Sequence, residues 1–118
     1  MTKRELIDLC LELPDVAEAY PFDLITAAPD SWAAIQHRGN KKTIAFVSVH
    51  KGRLIINLKC EPALAVFLRE QYKDLTAGYH MNKEHWNTIY PDGDVPVEAL
   101  CGMIKHSYEL TKPKQKKK

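Results

Sequence analysis

Apolar residues recur at intervals of three and four positions in three separate segments, a spacing that predicts amphipathic helices. These segments are 3–13, 62–72 and 96–111. Thr2 and Glu5 have the spacing of a capping box before the first helix, and Pro14 ends that helix because proline lacks an amide proton. Pro62 suits the first turn of the second helix for the same reason. The buried face expected for the third helix consists of Val97, Leu100, Cys101, Ile104 and Tyr108.

Segments rich in β-branched and aromatic residues predict an antiparallel meander of three strands. The strands are 32–38, 43–49 and 53–58. Turn signals at Gly39-Asn40 and Lys51-Gly52 separate them. Weaker signals predict an edge strand and turn at 20–23, a loop at 74–78 and a further strand at 86–90. Because both faces of the middle strand are partly apolar, at least one helix must cover the sheet.

The segment 78–89 concentrates large side chains with polar tips between two predicted helices. An unpaired buried donor costs roughly 1–3 kcal/mol, so this segment needs either a hydrogen-bond network or a ligand. His80 and His85 are five residues apart, which does not place them on one helix face as a His-x-x-x-His pair would. We therefore favour a hydrogen-bonded cluster over a metal site, and a small-molecule pocket stays an alternative. The segment's candidate residues are His80, Asn82, His85, Trp86 and Asn87.

The charges are strongly partitioned along the chain. The 118 residues carry a net charge of +2, yet residues 31–60 contain six basic side chains and no acidic one. Without the five lysines that follow Thr111 the net charge is −3, which argues against a uniformly basic nucleic-acid-binding protein. Basic side chains at hairpin turns can contact phosphates, and lysines there can equally serve to prevent aggregation. The candidate phosphate contacts of this block are Arg38, Lys41, Lys42, Lys51, Arg53 and Lys59.

Acidic residues form a stripe along the first predicted helix, at spacings of three, four and three. They are Glu5, Asp8, Glu12 and Asp15. A solvated helix face is the simpler interpretation of such a stripe. The alternative is a site for hard cations, since these prefer carboxylate oxygens.

Several classes of protein are not indicated by the sequence. No apolar run approaches the ~20 residues that span a bilayer, and the first residues lack the pattern of a signal peptide, so a cytoplasmic location is expected. Cys10, Cys60 and Cys101 are odd in number and widely spaced, which favours reduced thiols. No nucleophile elbow or phosphate-binding glycine loop is present, so we expect a non-catalytic protein without a cofactor. The expected organisation is one domain over 1–111 and a disordered lysine-rich tail over 112–118.

A set of local motifs resembles the MmcQ/YjbR family of small bacterial proteins over nearly the whole of 1–111. The motifs are Leu58-Lys59-Cys60-Glu61-Pro62, Leu68-Arg69-Glu70, Gly78-Tyr79-His80-Met81-Asn82-Lys83, His85-Trp86-Asn87-Thr88 and His106-Ser107-Tyr108-Glu109-Leu110. Any one of them alone could be a chance match, whereas their common order and spacing is specific.

The resemblance implies an α+β fold similar to the bacterial frataxin CyaY, an antiparallel sheet meander with helices packed on one face. It also implies DNA binding through a double wing, which would place the basic hairpin residues in the wings or at their rim. The resemblance assigns no role to the motif loop; we interpret His85 and Trp86 as scaffold that fixes the loop and Lys83 as the member that reaches a phosphate. The likeness to frataxin is also what makes iron the cation to consider at the acidic stripe. The expected function is thus weak DNA binding by a monomer, mainly through phosphate contacts.

Overall fold

The computed structural model describes residues 1–22, 28, 30–78 and 81–114. Within these residues the chain forms three helices and six strands. The helices are α1 (Lys3–Leu11), α2 (Pro62–Gln71) and α3 (Val97–Thr111). The strands are β1 (Val16–Ala19), β2 (Ala33–His37), β3 (Thr43–His50), β4 (Arg53–Lys59), β5 (Leu75–Ala77) and β6 (Trp86–Ile89).

All six strands form one antiparallel sheet in the order β1-β2-β3-β4-β6-β5. Helices α1 and α3 pack across the central strands, and α2 contacts the edge strand β5. The predicted α+β class, with an antiparallel sheet and helices on one face, is therefore confirmed.

Most predicted elements are present, with three corrections. The capping box of α1 forms, because the Thr2 hydroxyl accepts the Glu5 amide at 3.1 Å and the Glu5 carboxylate accepts the Thr2 amide at 2.8 Å. The edge strand lies at Val16–Ala19, before the predicted 20–23. The predicted loop at 74–78 contains β5, whose three residues are too few to show a periodicity. The third correction concerns Val97, predicted to be buried in α3 but 53% exposed at its first turn.

The main core lies between the sheet and helices α1 and α3. Alternate residues of the central strands point toward these helices, as the antiparallel pairing requires. The strands contribute Ala33, Ile35, Ala45, Val47, Ile56, Leu58 and Ile89, and the helices contribute Leu6, Ile7, Cys10, Leu100 and Ile104. Each of these side chains is buried, and burying one aliphatic side chain contributes roughly 1.5–3 kcal/mol.

The opposite face of the sheet is also covered. The Phe46 ring at its centre lies 5.8 Å from the Phe22 ring, 6.3 Å from the Trp32 ring and 6.1 Å from the Trp86 ring, measured between centroids. Buried polar groups share this face, including Asn57, which accepts a hydrogen bond from the Thr88 hydroxyl. The aromatic cluster thus buries the middle of a sheet face that no helix contacts in the described part of the chain.

A β-bulge in β3 determines how α3 sits on the sheet. Ile35 pairs with Ala45 but Gln36 pairs with Thr43, so Ile44 has no partner in β2. The Ser107 hydroxyl lies at this irregularity, fully buried. It donates to the Ile44 carbonyl at 2.6 Å and accepts the Lys59 amide at 3.1 Å. One side chain of α3 therefore satisfies a backbone group on each of two adjacent strands.

We predict that Ser107→Ala destabilises the protein by about 1–3 kcal/mol, because two buried backbone groups lose their partner. Urea unfolding followed by circular dichroism measures the loss. Ser48→Ala is a matched control, since Ser48 is equally buried but its hydroxyl serves only the carbonyl of the exposed Asp30, at 3.0 Å. Water can replace that bond, so the control should lose less than about 1 kcal/mol. Equal losses in the two variants would contradict this account.

Candidate functional site

One end of the sheet collects most of the predicted phosphate contacts. The antiparallel pairing places the start of β3, the end of β4 and the start of β6 at the same end. Lys59 pairs with Trp86 there, and the Cys60 amide donates to the His85 carbonyl at 2.8 Å. The β2–β3 hairpin and the loop before β6 therefore flank one edge. The residues brought to this end are Arg38, Lys41, Lys42, Lys59 and Lys83.

The end of α3 reaches the same edge and brings the start of the lysine-rich tail with it. The Asn40 side-chain amide donates to the Thr111 carbonyl at 2.9 Å. A side chain at Gly39 would come within 2.9 Å of Pro113, so the tail passes close to the hairpin. Lys112 pairs with Glu109 at 2.8 Å. We call the seven cations of this region the basic end: Arg38, Lys41, Lys42, Lys59, Lys83, Lys112 and Lys114.

The other two predicted contacts lie at the opposite end of β3. Lys51 occupies the β3–β4 turn, where its φ of 50° and the φ of 77° at Gly52 form the reversal. The eight residues of β3 place this turn roughly 25 Å from the basic end, at ~3.3 Å per residue. The two hairpin tips therefore lie at opposite ends of the sheet.

Arg53, beside that distant turn, is already engaged by other side chains. Its guanidinium binds the Asp92 carboxylate at 2.5 Å and the Asp74 carboxylate at 3.4 Å. It also lies 4.2 Å from the centre of the Tyr90 ring, within range of a cation–π contact. The Nε and Nη2 donors of this arginine are therefore already engaged by carboxylates.

Next to this ion pair, the carboxylates of Asp74 and Asp94 each accept a hydrogen bond from the backbone amide of the other residue. The Asp94 carboxylate accepts the amides of Lys73 at 2.9 Å and Asp74 at 3.0 Å, and the Asp74 carboxylate accepts the Asp94 amide at 3.1 Å. These amide bonds lower the pKa of Asp94, and the Arg53 guanidinium lowers the pKa of Asp92. Gly93 is required here, because a Cβ atom would lie 2.2 Å from an Asp74 oxygen.

The loop before β6 is held by its own hydrogen bonds and by an arginine from α2. The side-chain oxygen of Asn82 accepts a hydrogen bond from the Glu84 amide at 3.0 Å. The backbone carbonyl of Asn82 accepts hydrogen bonds from the amides of His85 and Trp86. Arg69 donates through Nε to the Asn87 side chain at 2.9 Å and through Nη2 to the Trp86 carbonyl at 3.2 Å. Nη2 also binds the carbonyl of Lys83. Among the described residues, a hydrogen-bond network thus accounts for these polar side chains.

The remaining motif residues have different surroundings. Trp86 packs on Phe46, and the Gly78 amide donates to the Trp86 carbonyl at 2.8 Å. A Cβ atom at Gly78 would lie 2.8 Å from the Trp86 Cβ, so this approach requires glycine. Lys83 is exposed at the surface, while His85 is half-buried. His80, the other predicted member of the loop site, lies outside the described residues.

Arg69 and Ser107 are the residues whose roles the sequence reasoning missed. Both residues occur inside the local motifs that resemble the family. That position was the sequence signal that could have indicated them. Their partners are between 14 and 63 residues away in the chain, so no local spacing could assign a role.

The acidic stripe of α1 does not form a cation cage. Glu5 is held in the capping box, and the Thr2 amide lowers the pKa of its carboxyl. Asp8 pairs with Arg4 at 2.8 Å, and Arg4 also binds Glu18 at 2.7 Å. Over residues 1–22, 28, 30–78 and 81–114, no three His, Cys, Asp or Glu side chains lie close enough together to hold a metal ion. Glu12 and Asp15, the other two members, are exposed.

Cys10 and Cys60 lack the environment of a nucleophile. Burial raises the pKa of the Cys10 thiol to about 12 and also raises the pKa of Cys60. Both thiols are therefore protonated at neutral pH, and a protonated thiol is a poor nucleophile. In the described part of the chain, no helix is long and apolar enough to cross a membrane.

The architecture defines a small α+β domain whose six-stranded sheet carries its helices on one face, with a basic end formed by a hairpin, a loop and a tail. Comparison with known proteins identifies its family. The YjbR family model matches residues 11–110, so the chain belongs to the YjbR family.

Relatives and solved structures agree with this assignment. The chain is 31% identical to the Escherichia coli K12 protein YjbR, over 92% of this chain and 86% of that protein. It is 28% identical to Bacillus subtilis YyaQ, over 95% of this chain and 99% of that protein. A crystal structure of Deinococcus radiodurans protein DR2400 has a TM-score of 0.78 at 31% identity, over 92% of this chain and 77% of that one. A Pseudomonas syringae protein has a TM-score of 0.80 at 25% identity, over 95% of this chain and all of that one.

We predict that Arg69→Ala loosens the loop before β6 and costs about 1.5–3 kcal/mol, the range for hydrogen bonds made by a charged group. Hydrogen exchange should show faster exchange at the amides of Trp86 and Gly78, which belong to the network that Arg69 holds. Arg38→Ala is the control, because it also removes an arginine, from an exposed position in the hairpin. Unchanged exchange at those two amides in Arg69→Ala would show that the loop holds without the arginine.

The lowered pKa values of Asp92 and Asp94 also make the stability of the protein depend on pH. An Asp whose folded pKa is below its unfolded value of about 3.9 stabilises the fold above that value, and the contribution is lost as pH falls through the folded pKa. We therefore expect Asp94→Ala to be less stable than the unsubstituted protein at pH 7. The difference should shrink as the pH falls below about 4. Urea unfolding from pH 7 to pH 2.5 measures it, and a constant difference would contradict the assignment.

Proposed function

We propose that this protein binds nucleic acid, with DNA as its expected partner, through phosphate contacts at the basic end. The observation that carries the proposal is the convergence of cations from separate parts of the chain. The hairpin supplies three, the end of β4 and the loop before β6 supply one each, and the tail supplies two. Cations clustered on one edge create a local positive potential even though the domain without its tail has a net charge of −3.

The chemistry of the basic end favours backbone contacts over base recognition. Five of its members are lysines on hairpin, loop and tail positions, and one more is on β4. A lysine ammonium is a compact point charge on a mobile stem, which suits a phosphate and reads no base pattern. About six phosphate contacts would make the logarithm of affinity fall with the logarithm of salt concentration at a slope near −5. Binding should therefore be weak at physiological salt and nearly independent of sequence.

We propose a binding role for this protein and no reaction. The two buried thiols have raised pKa values, and the paired carboxylates of α1 are engaged with Arg4 and Thr2. In this proposal the protein acts as a cytoplasmic monomer, since one copy supplies every cation of the basic end. No specific observation favours the alternative of iron binding at the acidic stripe.

The test compares two charge-reversal variants by fluorescence anisotropy with a labelled DNA duplex at several salt concentrations. Arg38→Glu with Lys42→Glu changes the basic end. Lys51→Glu with Lys73→Glu changes the net charge equally at the opposite end, where both residues are exposed. We expect the first pair to weaken binding at least tenfold and to reduce the salt slope by about 2. At 0.1 M salt the second pair should change the affinity by less than about threefold, because exposed charges beyond the Debye length of about 10 Å at that ionic strength are largely screened.

Two results would overturn the proposal. Equal weakening by both pairs would mean that net charge governs binding and that the basic end is not a site. The absence of binding by the unsubstituted protein at 20 mM salt would remove nucleic acid as a partner. Ending the chain after Thr111 separates the contributions, because the hairpin and loop cations remain while the tail lysines are lost.

A further inference from the structure

The face of the sheet opposite the helices carries an aromatic cluster beside the basic end. Phe46 pairs with Asn57 and Asn57 with Thr88, so the three side chains form one row across this face. Lys59 and Trp86 pair with each other one row further toward the basic end. Side chains two positions apart in a strand point to the same face, so Lys59 and Trp86 share the face that carries Phe46.

Phe22 forms the outer layer of this cluster. Its ring stacks on the Phe46 ring, with centroids 5.8 Å apart and ring planes 28° apart. Phe46 is 9% exposed and Phe22 is 70% exposed, so the ring face of Phe22 that is turned away from Phe46 meets solvent. The Trp86 ring is half-buried, with its centroid 6.1 Å from that of Phe46. Phe22 and Trp86 therefore adjoin the same buried ring, and such an exposed apolar patch is typical of a binding surface.

Aromatic rings beside cations match the two parts of a single-stranded nucleic acid. Every base has a flat π-face that can stack on an aromatic ring, whatever the sequence. The bases of a duplex are paired and stacked on one another, so only an unpaired strand can place a base against a protein ring. The phosphates of that strand need cations, and the Cβ of Lys59 lies roughly 4.5–5.5 Å from that of its cross-strand neighbour Trp86. The rings and the basic end thus complement the bases and the backbone of one strand.

We propose that this aromatic face binds single-stranded DNA, with unpaired bases stacked on the Phe22 and Trp86 rings. This role rests on the proposed function, because the basic end holds the phosphates of the same strand. Lys59 connects the two surfaces, since it projects onto the aromatic face beside Trp86 and also belongs to the basic end. The affinity then depends on the presence of bases and little on their identity, because stacking tolerates any sequence.

The test follows the binding of two labelled oligonucleotides of equal length to the full-length protein by fluorescence anisotropy. One is an oligothymidylate, and the other is abasic, so that it keeps the phosphates and lacks every base. Phe22→Ala removes the outer ring, whereas Phe22→Trp keeps an aromatic ring at the same position. Phe67→Ala is the matched control, since Phe67 is also exposed, at 57%, but lies on α2. Thermal unfolding of each variant checks that the fold is retained.

We expect the unsubstituted protein to bind the oligothymidylate at least tenfold more tightly than the abasic strand, on the order of the effect of stacking one or two bases. Phe22→Ala should weaken binding of the oligothymidylate at least fivefold and change binding of the abasic strand less than about twofold. Phe22→Trp should bind the oligothymidylate at least as tightly as the unsubstituted protein. Phe67→Ala should bind both strands with unchanged affinity.

The failure of this role and the failure of the proposed function give different results. Equal binding of the two strands by the unsubstituted protein would overturn the aromatic site and leave the proposed function standing, because phosphate contacts alone would then explain the binding. Unchanged affinity of a folded Phe22→Ala variant for the oligothymidylate would overturn the position given to the bases, as would an equal loss in Phe67→Ala. The absence of binding of either strand at 20 mM salt would overturn the proposed function together with this role.

Discussion

The hydroxyl of Ser107 connects the helical layer to the centre of the sheet. The bulge at Ile44 interrupts the pairing of β3 with β2, and Ser107 contacts backbone groups of β3 and β4 beside that interruption. Buried backbone groups need partners, so this contact sets the position of α3 along the sheet. The residues on either side of it extend the same restraint. His106 accepts the amide of Glu61 before α2, and the Tyr108 hydroxyl donates to the Pro14 carbonyl after α1.

The position of α3 in turn decides where its last residues lie. Thr111 ends α3 beside the β2–β3 hairpin, where its hydroxyl lies 2.9 Å from His37 Nε2 and its carbonyl accepts from Asn40. Lys112 and Lys114, which follow, therefore lie beside the hairpin. A cluster that the sequence divides between residues 38 and 114 is thus assembled by contacts inside the core. The basic end is a consequence of packing as much as of composition.

The elements could be predicted largely from local sequence, and the site only in part. Helices α1, α2 and α3 and strands β2, β3, β4 and β6 follow periodicities that span at least a turn or several alternations. Strand β5 has three residues and depends on pairing with β6, so no local signal could define it. The basic block of residues 31–60 and its division between two hairpins were visible in the sequence, but the approach of α3 and the loop before β6 to one of those hairpins was not. The ion pair between Arg53 and Asp92 could not be predicted from the sequence either, since the two residues are 39 positions apart.

Most residues of the family motifs stabilise the fold, so they give little information about what the protein binds. Arg69 holds the loop before β6, Ser107 spans two strands, and Tyr108 reaches the turn after α1. A side chain that already hydrogen-bonds to the backbone elsewhere in the protein has few donors or acceptors left for a ligand. The better indications of binding are therefore features that the fold does not require. Among the residues that the structure describes, the exposed side chains of the hairpin cations Arg38, Lys41 and Lys42 make no hydrogen bond or ion pair that the fold requires.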